Sequence, residues 1–171
     1  TVQTASDHTL IASWTPNTNT AYKVEHYQEQ VSGEYVVFET ENLTGTSEAT
    51  ATAEYRTYEG FSWDTSHEST VKTGTILGDG SLVLKLYYSR NSYTVTLNKG
   101  TGISEVTGAG TFKFGTSVTV SATAETGYTF ANWSGTYSST EQSYTFTMPA
   151  DDVTLTANAN SKEYSITYET N

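Results

Sequence analysis

Apolar and polar residues alternate along several short stretches of the chain, which is the spacing of a β-strand with one buried face. Residues 93–97 read YTVTL, residues 118–122 read VTVSA and residues 144–148 read YTFTM. The aromatic and aliphatic positions are predicted to face a core, and the threonines to face solvent. Helical periodicity is weak, and even residues 47–58, the best helical candidate, contain an alternating ATATA core that favours a strand. The pattern therefore predicts a mainly β fold.

A repeat with a fixed period organises these strands. Tyr22, Tyr93 and Tyr164 each open a Tyr-x-Val or Tyr-x-Ile stretch, and they lie 71 residues apart. An apolar strand and a short polar link precede each of them, so the unit repeats as a whole. We predict four segments: the final strand of a preceding repeat (1–14), two whole modules (15–88 and 89–160) and the first strand of a following repeat (161–171). Short links predict that the two tandem modules lie end to end in an elongated arrangement.

Charge and composition narrow the classes of partner. The chain has 171 residues, with 19 acidic and 8 basic side chains, and its net charge is −11. Binding to nucleic acid or to an anionic membrane surface requires a basic face, so neither is expected as a partner. The chain has no cysteine, which excludes disulfides and a cysteine nucleophile. With no signal peptide and no apolar run of membrane-spanning length, it is expected to be a fragment of a longer protein, without membrane insertion.

Three aromatic residues are candidates for a ligand-binding platform. Trp63, Trp133 and Tyr137 could stack on a sugar, because tryptophan and tyrosine offer wide amphipathic faces. Packing in the core is the alternative for both tryptophans. Phe130 and Trp133 are three residues apart, so they face opposite sides of a regular strand, and only a bulge turns both inward.

The remaining polar motifs favour turns over catalysis. Residues 64–67 read DTSH, which brings an acid, a hydroxyl and an imidazole together, but a catalytic triad converges from distant segments. The stretch is predicted to be a polar turn. The acidic pair 151–152 and the turn 78–80 could offer oxygens to Ca²⁺, yet no EF-hand-like loop supplies a full ligand set. Lys23, Lys99 and Lys113 are candidates for intramolecular crosslinks to Asn or Asp. No catalytic residue, metal or cofactor is predicted.

The residues also carry a resemblance to repeats of bacterial surface proteins. The motifs of the first module are YKVEHY (22–27), YVVFETENLTGT (35–46), YEGF (58–61) and DGSLVLKLYY (79–88). They resemble the mucin-binding-protein-like (MucBP-like) repeats of Gram-positive bacteria. The motifs of the second module are GTSV (115–118), GYTFANWSG (127–135), YTFTMPA (144–150) and VTL (153–155). They are similar to the divergent internalin-B (InlB) B-repeat domain, and LIASW (10–14) is similar to the ends of Listeria–Bacteroides repeats.

The resemblance implies small mixed-β modules, β-grasp-like or otherwise, on extracellular, wall-attached proteins without enzymatic activity. Two functions remain open. The segment is either a stalk that displays an adhesive region, with neighbouring repeats of the same chain as its partners, or a binding module for host glycans or mucin-like glycoproteins.

Overall fold

A computed structural model describes residues 11–168, and every regular element in this range is a β-strand. No helix in this part of the chain has the length and apolar character needed to cross a membrane. The thirteen strands are β1 (Thr20–Glu29), β2 (Tyr35–Gly45), β3 (Thr50–Thr52), β4 (Phe61–Trp63), β5 (Thr73–Thr75), β6 (Val83–Arg90), β7 (Ser92–Lys99), β8 (Ile103–Thr107), β9 (Gly110–Lys113), β10 (Ser117–Ala124), β11 (Tyr128–Gly135), β12 (Ser143–Thr147) and β13 (Val153–Ser161). The predicted mainly β fold is therefore confirmed.

A four-stranded mixed sheet and a two-stranded sheet form the first half of the chain. The larger sheet has the order β2-β1-β6-β4, with β1 and β6 parallel at its centre, and the smaller one pairs β3 with β5. Alternate residues of the central strands face one core, which we call the first core. Its buried members are Val24, Ala51, Ala53, Ile76, Leu84, Leu86 and Tyr88. The strand predicted within residues 47–58 is β3, although it is only three residues long.

A second four-stranded mixed sheet lies in the other half, where it shares a core with a three-stranded antiparallel sheet. Their orders are β11-β13-β7-β9 and β12-β10-β8, and β13 and β7 are parallel. The second core contains Val95, Ile103, Val118, Val120, Ala122, Trp133, Phe146, Met148, Val153, Leu155 and Ala157. The alternate apolar positions of residues 93–97, 118–122 and 144–148 all pack in or against it, as the pattern predicted.

The two mixed sheets place equivalent strands in equivalent positions. In each, the strand that contains the repeated tyrosine runs parallel to the last strand of the same half. Val24 pairs with Leu84 in the first sheet, and Val95 pairs with Val153 in the second. Relative to the 71-residue period, the second register differs by two residues. A shift of two residues keeps every side chain on its face of the sheet, so both cores survive it.

The segments outside the two cores form no strand in the described range. Residues 1–10 lie outside that range, and residues 11–14 are exposed and unpaired by any ladder. Residues 162–168 are likewise exposed, including Tyr164, Ile166 and Tyr168. Their assignment to neighbouring repeats stays a prediction.

Candidate functional site: the junction between the two cores

One residue separates the last strand of the first sheet from the first strand of the second. β6 ends at Arg90 and β7 begins at Ser92, so only Asn91 lies between them. Its backbone N–H donates to the carbonyl of Gly60 (2.8 Å), in the first half of the chain. Its carbonyl accepts from the N–H of Phe114 (2.8 Å), in the second half. The link is therefore hydrogen-bonded on both sides and is not a free tether.

An aromatic pair closes the junction on one side of this link. The rings of Phe61 and Phe114 meet edge to face, with centroids 5.7 Å apart and an interplanar angle of 78°. This is a favoured geometry, because the positive edge of one ring meets the negative face of the other. Gly60 lies directly beneath the ring of Phe114, where no side chain would fit, and its φ of +78° is one that glycine adopts readily.

A buried carboxylate joins the two halves by charge. Glu29, at the end of β1, is only 7% exposed. It accepts a hydrogen bond from the ammonium of Lys113 (2.5 Å) and another from the backbone N–H of Arg90 (2.9 Å). Burial by itself raises the pKa of this carboxyl, but the bonds from Lys113 and Arg90 outweigh it and hold the pKa below its ordinary value. Glu29 is therefore ionised at neutral pH.

The side chain of Arg90, at the end of β6, contacts the turn that follows β9. Its guanidinium donates to the carbonyl oxygen of Phe114 (2.8 Å) and lies 3.4 Å from the hydroxyl of Thr116. A shallow groove of about 310 Å³ opens here, between the end of β1, the bulge of β2 and the turn after β9. Its lining is mainly apolar, with three phenylalanines and one valine beside the polar groups: Gln28, Glu29, Gln30, Val31, Phe38, Phe61, Arg90, Phe114 and Gly115. The arrangement holds the two halves together, and it presents no nucleophile paired with a base.

The three residues predicted to form a sugar platform lie in different places. Trp133 is fully buried in the second core, with its indole N–H 3.4 Å from the carbonyl of Gln142. A bulge in β11 between Phe130 and Asn132 brings the Phe130 ring to 5.9 Å from it, so the alternative that required a bulge is the one observed. Tyr137 packs against the same core, its ring 5.2 Å from that of Phe146.

Trp63 belongs to the first core and therefore lies apart from the other two. Its ring stacks on that of Tyr55, with centroids 5.4 Å apart and planes 9° from parallel. The ammonium of Lys72 lies over the same ring, 4.6 Å from its centroid. The indole N–H is buried and finds no partner within residues 11–168. Trp63, Trp133 and Tyr137 therefore do not share one surface of the structure. Their role in binding stays a prediction.

The DTSH motif forms the predicted polar turn. The carboxylate of Asp64 accepts bonds from the backbone N–H (3.0 Å) and the hydroxyl (2.7 Å) of Ser66, which lower the pKa of Asp64. The His67 ring stacks on Tyr87 at 3.8 Å, where it acts as packing. Among residues 11–168 no group of three or more His, Asp or Glu side chains is placed to hold a metal ion.

A buried polar cluster beneath the first sheet could not be read from the sequence. His26 is fully buried, with Nδ1 2.9 Å from the Tyr88 hydroxyl and Nε2 2.7 Å from the carboxylate of Glu41. The Tyr88 oxygen also accepts the backbone N–H of Arg56 (3.0 Å), and the Arg56 side chain bonds to Glu41. The bond from Arg56 is the main reason that the pKa of Glu41 is lowered. Nothing in the sequence predicted that His26 is buried or which residues it contacts.

One part of the chain matches a known family model. Residues 93–162 match the family model of the divergent InlB B-repeat domain, so the resemblance predicted for the second module is confirmed. No curated protein matches the chain. A solved structure described as "Crystal structure of Mub-RV" aligns at 13% sequence identity, over 81% of this chain and 97% of that one. Its TM-score of 0.28 is too low for the likeness to carry an argument. The MucBP-like resemblance of residues 15–88 therefore stays a prediction.

Proposed function

We propose that this chain is a non-enzymatic repeat segment of a bacterial cell-surface protein and that it acts as a stiff spacer. The family match of residues 93–162 supports a repeat module. Residues 15–88 and 89–160 are then two modules in tandem, and the neighbouring repeats of the same protein are their partners.

The junction is the observation that carries the spacer role. A flexible tether leaves its backbone groups in water, whereas both backbone groups of Asn91 bond to protein, one on each side. The contact of Phe61 with Phe114 and the ion pair of Glu29 with Lys113 add two further constraints, on different elements. Three separate contacts fix both the direction and the rotation of one module relative to the next. A spacer needs such a joint, because reach is lost when successive modules fold back.

The experiment is a distance measurement across the junction. Because the chain has no cysteine, two engineered cysteines can be spin-labelled without side reactions. Thr40→Cys on β2 and Thr123→Cys on β10 are both exposed and lie in different halves. Pulsed electron spin resonance on this double variant should give one narrow distance distribution, and the same width is expected for two labels within one half, Thr40→Cys with Thr75→Cys, both exposed. A broad or multimodal distribution across the junction alone would show that the modules move freely and would refute the spacer.

Attachment to the cell wall and recognition of host glycans or mucin-like glycoproteins stay predictions from the resemblance. The residues suggested for sugar stacking, Trp63, Trp133 and Tyr137, give no shared surface that favours the second role. A glycan array probed with the whole chain tests it, and reproducible micromolar binding would support a binding module in place of a pure spacer.

A further inference from the structure

The longest strand in the described part of the chain lies at a free sheet edge. β2 has 11 residues, and it is the terminal strand of the order β2-β1-β6-β4. It pairs with β1 along one side, from Tyr35 to Gly45. Within residues 11–168, no backbone hydrogen bond reaches β2 from its other side. Its outward N–H and C=O groups are therefore a ready template for another strand.

The protection that natural edge strands usually carry is weak here. Edges are commonly blocked by proline, by charged side chains, above all lysine, or by a bulge; β2 contains neither proline nor lysine, and its charged residues are Glu39 and Glu41. It has one bulge, where the register shifts opposite His26 and Tyr27. Beyond it, six residues from Glu39 to Thr44 pair regularly with β1 and leave a straight outer edge.

Apolar side chains are exposed beside this edge. Val36 and Val37 are each 45% exposed and Phe38 is 60% exposed, three in succession at the start of the strand. Phe38 makes an edge-to-face contact with the ring of Tyr58 (5.3 Å). A strand added to β2 would cover such side chains, because cross-strand neighbours lie about 5 Å apart.

Charge decides which kind of strand fits. Glu39 and Glu41 lie on the same face of β2, since they are two residues apart beyond the bulge. Arg56 pairs with both, at 2.9 Å from Glu41 and 3.7 Å from Glu39. Glu41 also contacts Nε2 of His26 and Glu39 also accepts from the Tyr58 hydroxyl, so Arg56 is the one permanent cation beside these two carboxylates in the described part of the chain. The surrounding residues 15–88 carry 11 acidic and 4 basic side chains. A strand alongside this segment would place its own side chains opposite the two carboxylates.

The same geometry argues against a second copy of the chain as the occupant. If two β2 strands paired antiparallel about Thr40, Glu39 of each copy would lie opposite Glu41 of the other. Like charges directly opposite one another destabilise a pair of strands. A strand with lysine or arginine at alternate positions would place opposite charges beside Glu39 and Glu41, and this attraction favours its pairing with β2.

We propose that the free edge of β2 binds an extended, basic segment of a partner polypeptide by strand addition. The backbone edge from Glu39 to Thr44 supplies the hydrogen bonds. Glu39 and Glu41 select cationic side chains at alternate positions, and Val36 to Phe38 provide an apolar contact at one end. This inference does not depend on the spacer role, since the backbone edge from Glu39 to Thr44 belongs to the first half of the chain alone, and only Phe38 also lines the groove at the junction.

The test uses three synthetic octapeptides and the whole chain. The first alternates Lys with Thr and Val, the second has Glu in place of Lys, and the third is the first with alternate backbone nitrogens methylated. We expect the basic peptide to bind and to slow hydrogen exchange of β2 amides, as read by nuclear magnetic resonance. The methylated peptide should bind at least roughly tenfold more weakly, because it loses several backbone hydrogen bonds. The acidic peptide should not bind.

Two charge variants separate a specific edge from general acidity. Glu39→Gln keeps an acceptor for the Tyr58 hydroxyl and removes one charge from the edge, so the basic peptide should bind roughly threefold more weakly. Glu105→Gln on β8, exposed at an edge of the three-stranded sheet, removes the same charge elsewhere and should leave binding unchanged. Equal binding of the methylated peptide, protection outside β2, equal effects of both variants, no binding by any peptide, or self-association through β2 would each overturn the proposal.

Discussion

Gly60→Ala is the most selective perturbation of the junction, because it acts on the contact between the modules and leaves both cores intact. A methyl group at Gly60 would overlap the ring of Phe114, which belongs to the other half of the chain. The ring would have to leave its position against Phe61. Gly33→Ala is a matched control: Gly33 has a similar φ of +88°, against +78° at Gly60, but nothing lies within 4 Å of its added methyl group.

Both substitutions should lower the free energy of unfolding through backbone strain, and Gly60→Ala should lower it further through loss of an aromatic contact. An alanine held at positive φ costs about 1–2 kcal/mol, so both substitutions should lower the free energy of unfolding by that amount. Displacing Phe114 adds the loss of the aromatic pair, about 0.5–1.5 kcal/mol. Gly60→Ala should therefore be less stable than Gly33→Ala by about 1 kcal/mol.

Chemical unfolding measures that difference, and the spin-label distance between positions 40 and 123 measures the joint. Gly33→Ala should keep the narrow distance distribution, whereas Gly60→Ala should broaden it. If the two variants are equally stable and the distribution stays narrow in both, the Phe61–Phe114 contact does not hold the junction. Broadening in the Gly33→Ala control would show that the measurement reports strain in general and not the joint.

Three further predictions follow from particular contacts. Because the pKa of Glu29 is lowered in the folded chain, its ionised form stabilises the fold above the ordinary value of 4.5, and this contribution is lost as pH falls through the lower folded value. The spin-label distribution should therefore remain unchanged from pH 6 to 8 and broaden only at pH values below 4.5. Tyr88→Phe leaves Nδ1 of His26 and the N–H of Arg56 without a partner, so chemical unfolding should show a loss of about 1–3 kcal/mol; no loss would mean that water replaces the hydroxyl. Glu48 has a φ of +67°, so Glu48→Gly should raise the free energy of unfolding by about 1 kcal/mol, and a decrease would contradict this account.

Much of the fold was predictable because alternation is a local property of the chain. The inward positions of β7, β10 and β12 follow from the two-residue period alone, and the structure buries them in the second core. The 71-residue period identified equivalent opening strands, β1 and β7, which occupy equivalent places in their sheets. From the sequence, the bulge in β11 could be predicted only as one of two possibilities. The spacing of Phe130 and Trp133 allows a regular strand with one buried ring or a bulged strand with two.

The junction and the polar cluster could not be predicted, because they depend on residues far apart in the sequence. Glu29 and Lys113 are separated by 84 residues, and His26 lies 62 residues from Tyr88. In the sequence, Glu29 is one of 19 acidic residues, and nothing local distinguishes it as buried. The parallel pairing of β1 with β6 brings Glu29 to the end of β6, and the pairing of β7 with β9 places Lys113 opposite Ser92, just beyond that end.

The distribution of charge gives this junction its electrostatic character. Residues 15–88 carry a net charge of −7, whereas residues 89–160 have three basic residues, Arg90, Lys99 and Lys113. Two of these three lie at the junction, where both contact Glu29. At physiological salt, charges more than about 8 Å apart are largely screened, so repulsion between the acidic surfaces is weak across the molecule. The buried contact at Glu29 is screened far less, and it therefore favours the docked arrangement at physiological salt.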